Sequence, residues 1–176
     1  MGRGSSDVED ELKQYVEGRY LALRRTAFLL CGDWHRAEDL VQGTLIKLVV
    51  AARRQHIDSL DAYARKVLLH LFLEENRRLW RRRERSWAEP VDLVGVVEDN
   101  DTRMSVLAAL GGLPPRQRAA VVLRYWEDRS VEETAAALGV APGTVKSQCA
   151  KALAALRIVL QDNRLELGIG SERAYG

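Results

Sequence analysis

Cysteine is scarce in this chain. Only Cys31 and Cys149 are present, far apart and without a C-x-x-C partner, so neither a disulfide framework nor a zinc ribbon is expected. Aromatic residues make up just 6% of the sequence. Apolar runs are short: none reaches the roughly 18 residues that span a bilayer. The opening Met1-Gly2-Arg3-Gly4-Ser5-Ser6-Asp7 lacks the apolar core of a secretory signal, so the expectation is a cytoplasmic protein with no membrane insertion. There is no glycine-rich phosphate loop and no nucleophile motif, and neither cysteine has a histidine nearby in sequence to activate it. His35, Glu38 and Asp39 form the one His–carboxylate cluster; a helix would align them, but two further ligands are not evident. The expectation is a protein that is not an enzyme, with no catalytic residue, no metal and no cofactor.

What is present suits a folded chain of one or two domains: 176 residues, 47% hydrophobic and 30% charged. The formal net charge of +2 hides a strong segregation. Between Ser86 and Asp101 there is no Lys or Arg, while Glu89, Asp92, Glu98, Asp99 and Asp101 are acidic. Just before it, Arg77, Arg78, Arg81, Arg82, Arg83 and Arg85 place six arginines in nine positions. Arg77, Arg81 and Arg85 follow at i+4, as do Arg78 and Arg82, so a helix stacks guanidinium groups able to meet successive phosphates. A solvated basic helix end, favoured by the helix dipole, is the competing reading. Trp80 and Trp87 beside them can stack on unpaired bases, although a tryptophan at a helix end more often covers core.

The spacing of apolar residues predicts helices throughout. From about Asp7 to Leu30, Leu12, Tyr15, Val16, Tyr20, Leu23, Ala27 and Leu30 recur at three and four, with Gly18 a candidate break. Asp33 then caps a second helix whose inner stripe is Trp34, Ala37, Val41, Leu45, Leu48 and Ala52, and whose outer side carries His35, Asp39, Gln42 and Ile46. Ser59 caps a third helix, Leu60 to about Arg83, built on Ala64, Val67, Leu68, Leu71 and Phe72. Residues 86–101, with Pro90 and five acids, read as a flexible acidic linker. After it come a short helix, a turn at Gly111-Gly112-Leu113-Pro114-Pro115, and a helix from Arg116 to Trp126. The expected fold is all-α: two small helical domains, residues 1–85 and 102–161, joined by that linker, with a flexible tail at 162–176.

Ser130-Val131-Glu132-Glu133 has the pattern of a capping box, Gly139 is placed to end that helix in a left-handed turn, and Pro142 fits the first turn of the next. Val145, Cys149, Leu153, Leu156 and Leu160 form the inner stripe of this last helix. With the small residues Ala135 and Ala136 where two helices must approach, this is the pattern of a helix-turn-helix. Thr144, Lys146, Ser147, Gln148 and Lys151 are then the candidates to reach base edges and phosphates in a major groove. An ordinary helical hairpin with solvated polar residues is the alternative.

Several segments together resemble one family. Asp39-Leu40-Val41-Gln42 followed by Thr44-Leu45-Ile46-Lys47, then Leu113-Pro114-Pro115-Arg116-Gln117-Arg118, then Gly143-Thr144-Val145-Lys146-Ser147, are similar to the extracytoplasmic-function sigma factors, small two-domain initiation subunits of bacterial RNA polymerase. Ala62-Tyr63-Ala64-Arg65-Lys66-Val67-Leu68 and Leu123-Arg124-Tyr125-Trp126-Glu127-Asp128 resemble the actinobacterial, sigma-E-like branch. The resemblance implies a first domain (sigma-2-like) that docks on the beta-prime clamp helices of core polymerase through Asp39, Gln42, Leu45 and Ile46. It also implies a minus-10 surface of Arg53, Arg54, His56, Arg65, His70, Asn76, Arg77, Arg78 and Arg81, where a base is captured as the promoter melts. The second domain (sigma-4-like) would rest on the beta flap and read the minus-35 element with Arg116, Arg118, Thr144, Lys146, Ser147, Gln148 and Lys151. Promoter DNA, core polymerase and an anti-sigma factor are the implied partners. Three positions depart from the family's usual residues: Gly43 in place of an acid, His70 in place of Asn, and Ala141 in place of a capping serine. A stand-alone helix-turn-helix regulator is the alternative function, distinguished by tight binding to a palindrome without polymerase.

Overall fold

The computed structural model describes residues 5–85 and 101–166, with side chains at 7–83 and 105–161. Among the described residues there are helices and turns and no strand. Three long helices come first: α1 (Ser5–Cys31), α2 (Trp34–Arg54) and α3 (Leu60–Arg85). Then follow α4 (Asp101–Gly112), α5 (Pro115–Val121) continuing into a π turn (Val122–Trp126), α6 (Val131–Leu138) and α7 (Pro142–Glu166). Gly18 does not break α1, which runs through it, and α7 continues past Gln161 to Glu166, so the expected tail is partly helical. Residues 86–100 of the expected linker, Trp87 among them, and the last ten residues lie outside the described residues, while Asp101 already belongs to α4.

The starts and stops follow local chemistry. Gly32, at φ +73°, lets the chain reverse after α1, and the Asp33 side chain accepts the Arg36 backbone N–H at 2.8 Å to open α2. Trp34 closes this corner by stacking on Phe28 with ring centroids 4.0 Å apart, while the Arg24 guanidinium covers its other side at 4.5 Å. Ser59 Oγ accepts the Ala62 N–H at 3.2 Å and opens α3. The inner stripes meet as their spacing predicts: Leu23, Ala27 and Leu30 of α1, Val41 and Leu48 of α2, and Ala64, Leu68 and Phe72 of α3 are all buried in one cluster. Gly43 has a packing reason, since a Cβ there would lie 3.2 Å from Leu71 Cδ1, so the glycine admits α3 close to α2. Ion pairs Arg19–Asp61 (2.7 Å), Arg36–Glu75 (3.1 Å) and Arg24–Glu38 (2.7 Å) tie the three helices at the margins of this cluster.

The second group of helices is built on smaller side chains. Ala120, Ala135, Val145 and Cys149 pack α5, α6 and α7 together, and Leu110, Leu113, Val121 and Ala152 anchor α4 against them. The expected helix from Arg116 to Trp126 is present but widens halfway, so that the Glu127 N–H reaches back five residues to Val122 O at 3.1 Å. Asp128 follows in the left-handed region at φ 51°, a conformation Asp tolerates better than most residues.

The two groups do not stand apart. Ala119, Val122 and Leu123 of the second belong to the same buried cluster as Leu30, Leu68 and Phe72 of the first, with Ala137 and Leu138 packed on it. An apolar groove of about 1180 Å³ runs along this seam, lined from both sides by residues that include Phe28, Trp34, Val106, Tyr125 and Leu156. The two helical domains expected from sequence are thus both present, and among the described residues they pack on each other through a shared buried cluster.

Candidate nucleic-acid interface

The α6–α7 unit is assembled by backbone chemistry. Ser130 Oγ accepts the Glu133 N–H at 3.0 Å and Glu133 Oε2 accepts the Ser130 N–H at 2.8 Å, a reciprocal box that satisfies two donors at the start of α6. The Ser130 N–H holds the Glu133 carboxyl below its ordinary value. Gly139 ends the helix at φ +65°, and the Val140 N–H returns to Ala135 O at 3.1 Å. Pro142 opens α7, whose Thr144 N–H is taken by Ala141 O at 2.9 Å, with no cap side chain at 141. Val145 and Cys149 face inward, and burial pushes the Cys149 thiol up. Of the two alanines expected at the crossing, Ala135 is buried there and Ala136 is exposed.

This leaves one face of α7 open. Thr144, Lys146, Ser147 and Lys151 are exposed along its first turns, and Gln148 is half-buried between them. The spread of hydroxyl, amide and ammonium groups on a helix held rigid from beneath is the chemistry that reads a major groove and grips its phosphates. Arg116, at the start of α5, is exposed as well.

A second basic surface lies along α3 and the α2–α3 loop. Arg53, Arg54 and His56 are exposed at the end of α2, where Arg53 reaches Glu9 at 3.3 Å and His56 lies 3.3 Å from Asp58. On α3, Glu74 sits between His70 (3.6 Å) and Arg78 (2.8 Å), and the Arg78 hydrogen bond and charge hold its carboxyl below the ordinary value. Arg77, Arg81, Arg82 and Arg83 are exposed around the same end. Trp80 is 63% exposed, not a cover for the core, which leaves its indole beside the arginines. Asn76 is half-buried and its amide donates to Phe72 O at 2.8 Å, so the carboxamide is in part committed to its own helix.

Two expected DNA contacts are corrected. Arg65 is 7% exposed, with Nε donating to Glu127 Oε2 at 2.7 Å and Nη2 to Asp61 Oδ2 at 2.5 Å. Arg118 is 5% exposed and donates to three backbone carbonyls, Leu30 O (2.6 Å), Gly111 O (2.6 Å) and Leu113 O (3.0 Å). Neither guanidinium faces solvent, because each lies on the apolar stripe of its helix and is directed into the seam. Asp61 shows the balance of forces there: burial raises its pKa, but the hydrogen bond from Arg19 and the charges of Arg65 and Arg19 outweigh it and leave the carboxyl below its usual value.

The outer side of α2 forms a third surface. Asp39, Gln42 and Ile46 are exposed, Ile46 to 65%, while Leu45 is half-buried against the core and contributes less of its side chain. Val50, 44% exposed one turn beyond Ile46, extends this surface and was missed from sequence, although its i+4 position continues the stripe. The docked seam was missed as well: Thr26, Asp61, Glu127 and Arg129 belong to it, and no local pattern pairs residues so distant in sequence.

Comparison with known proteins identifies the family. Residues 16–82 match the description "Sigma-70 region 2" and residues 103–156 match "Sigma-70, region 4". The class is therefore that of the sigma-70 initiation factors, proteins that direct RNA polymerase to promoters. A sigma-E factor of RNA polymerase from Streptomyces coelicolor is 39% identical over 84% of each chain, and one from Streptomyces avermitilis is 37% identical over 89% of this chain and 88% of the other. The solved sigma factor RpoE of Bartonella quintana, in complex with the anti-sigma factor NepR, superposes with a TM-score of 0.68 at 29% identity, covering 86% of this chain and 97% of that one. The chain belongs to the extracytoplasmic-function sigma factors, among the actinobacterial relatives, and its function is promoter-specific initiation of transcription. No helix among the described residues is long and apolar enough to cross a membrane.

Proposed function

We propose a division of labour between the three surfaces. The outer side of α2, through Asp39, Gln42 and Ile46 with Val50 beyond them, docks on the beta-prime clamp helices of core polymerase. Arg53, Arg54, His56, His70, Arg77, Arg78 and Arg81 form the cationic track that accepts the minus-10 strand as the duplex melts. Thr144, Lys146, Ser147, Gln148 and Lys151, with Arg116 at the backbone, read the minus-35 element while the second domain rests on the beta flap. The domains divide at the linker, residues 1–85 and 102–161. The chain itself performs no catalysis, acts in the cytoplasm, and is a target for an anti-sigma factor, as RpoE of Bartonella quintana is for NepR.

The observation that carries this reading is the rigid turn of Ser130, Glu133 and Gly139 that presents the first turns of α7 to solvent. Run-off transcription with bacterial core polymerase and a pool of genomic promoter fragments tests it. Transcripts that need both proteins are expected. Lys146→Ala and Lys151→Ala should each weaken promoter capture and reduce its salt dependence by about one phosphate contact. Tight binding of a palindrome by the chain alone, with no transcript, would establish the stand-alone regulator instead.

A further inference from the structure

The geometry points to Glu74 as the side chain that selects a cytosine within the minus-10 element, its free carboxylate oxygen accepting the exocyclic N4 amine of the base. This role rests on the assignment of α3 to the minus-10 element made above. His70, Glu74, Arg78 and Arg82 follow one another at i+4 along α3, with Arg77 and Arg81 beside them. At 1.5 Å per residue, His70 to Arg78 covers about 12 Å, or three to four base steps at ~3.4 Å each, with Glu74 at the middle. The other acids of α3 with described side chains are turned elsewhere, Asp61 to Arg19 and Arg65, and Glu75 to Arg36 of α2. Glu74 stays among the exposed cations, with 27% of its side chain open to solvent.

A carboxylate at that place has one favourable use toward DNA. The sugar-phosphate backbone presents oxygens that accept and carry charge of the same sign, so it repels an ionised acid; the donors that DNA offers are the N–H groups of its bases. The hydrogen bond and charge of Arg78 keep the Glu74 carboxyl ionised, so it accepts and cannot donate. Its two oxygens are not equivalent. Oε1 accepts Arg78 Nη2 at 2.8 Å, which orients the carboxylate, while Oε2 lies 3.6 Å from His70 Nε2, too far for a hydrogen bond. One oxygen is thus tied and the other is an open acceptor, held in place before DNA arrives. In the major groove guanine presents two acceptors, thymine an acceptor and a methyl group, and adenine a donor beside the N7 acceptor. Cytosine presents its amine with no acceptor beside it on the same base, which is the match for a single negative oxygen. The amine remains a donor when the pair opens. His70 and Arg78 on either side can meet the flanking phosphates, which offsets the repulsion that Glu74 meets from them.

Run-off transcription with bacterial core polymerase reads this choice. The templates are the genomic fragment that gives the strongest transcript and the set in which each of its minus-10 positions is changed to the other three bases. The wild type should favour cytosine at one position by about 5- to 150-fold. Glu74→Gln, whose amide carries a donor as well as an acceptor, should flatten the preference at that position and leave the other positions as they were; Glu74→Ala should flatten the same one. Arg81→Ala, which removes a phosphate contact, should lower transcript from all templates by a similar factor and keep the cytosine preference. A cytosine preference unchanged in both Glu74 variants, or a loss spread evenly over all templates, overturns the reading role and leaves Glu74 as a partner of Arg78. A wild type that transcribes without preferring cytosine at any minus-10 position overturns it equally, with the sigma-factor function intact. No transcript from the wild type on any template overturns that function, and the reading role with it.

Discussion

In α1–α3 the buried positions are filled by Leu12, Leu23, Leu30, Leu48, Leu68, Leu69 and Phe72 on helices of 21 to 27 residues, whereas α5–α7 meet on Ala120, Val121, Ala135, Val145, Cys149 and Ala152. The first domain is stabilised by the volume of large side chains removed from water. The second has less volume to bury and depends on the backbone: a capping box, a left-handed glycine and a proline start, with α5 and α6 only seven and eight residues long. A helix that short is marginal alone and exists because its ends are satisfied and its neighbours hold it. Rigid presentation of a few side chains at the start of α7 therefore comes from small residues and tight turns, while the first domain supplies the body on which the second docks.

Five changes would break or sharpen this contrast. Phe72→Ala should cost the most, ~3–5 kcal/mol, because Phe72 is fully buried where the first domain meets the second. At 2–4 °C per kcal/mol for a chain of this size, thermal unfolding should shift down by roughly 6–20 °C. Arg118→Met leaves three backbone carbonyls without a donor and should destabilise by at least ~2 kcal/mol, with Arg118→Lys recovering only part. If Arg118→Met instead unfolds like the wild type and loses salt-dependent DNA affinity, the buried role is wrong. Gly139→Ala should cost about 1–2 kcal/mol purely through its positive φ, since a Cβ there has nothing within 4 Å, and a neutral result would mean the turn has relaxed. Ala141→Ser should act in the opposite direction, adding about 0.5–1 kcal/mol by giving α7 the side-chain cap it lacks; an unchanged or lower melting temperature would show that Ala141 is not the cap.

The smallest effect concerns pH. Because the folded-state pKa of Asp61 is depressed, its stabilisation is complete above the unfolded value of about 3.9 and is lost as pH falls through the folded value. The difference in melting temperature between wild type and Asp61→Asn should thus be full at pH 6 and narrower at pH 3. A gap equally wide at both would remove Asp61 from the charge network of the seam.

Much of this molecule was legible residue by residue. Asp33, Ser59, Ser130 and Gly139 act where their side chains or backbone freedom predicted, because caps and turns are settled within three or four residues. The inner stripes of α2, α3 and α7 followed from periodicity, and so did the exposure of Asp39, Gln42, Ile46, Thr144 and Lys146. Arg65 and Arg118 were misread because an arginine in a basic protein that resembles a DNA-binding family invites a phosphate. A signal was available: Arg65 shares its face with Leu68, Leu69 and Phe72 at i+3, i+4 and i+7, and Arg118 precedes Val122 at i+4. Spacing of that kind marks a residue for burial, but not the partner that makes burial tolerable.

What the sequence determined by itself is therefore the local and the periodic: the seven helices among the described residues, their caps, the inward and outward faces, and the side chains of a recognition helix. Those features depend on interactions a few residues apart and are written in their order. Only the tertiary structure decided that Glu127 meets Arg65 and Thr26, and that Arg118 holds Leu30 O, contacts spanning 62, 101 and 88 positions. The physical reason is that a buried charge is stable only beside a specific partner, and that partner is brought by the packing of whole helices, which no short stretch of sequence records.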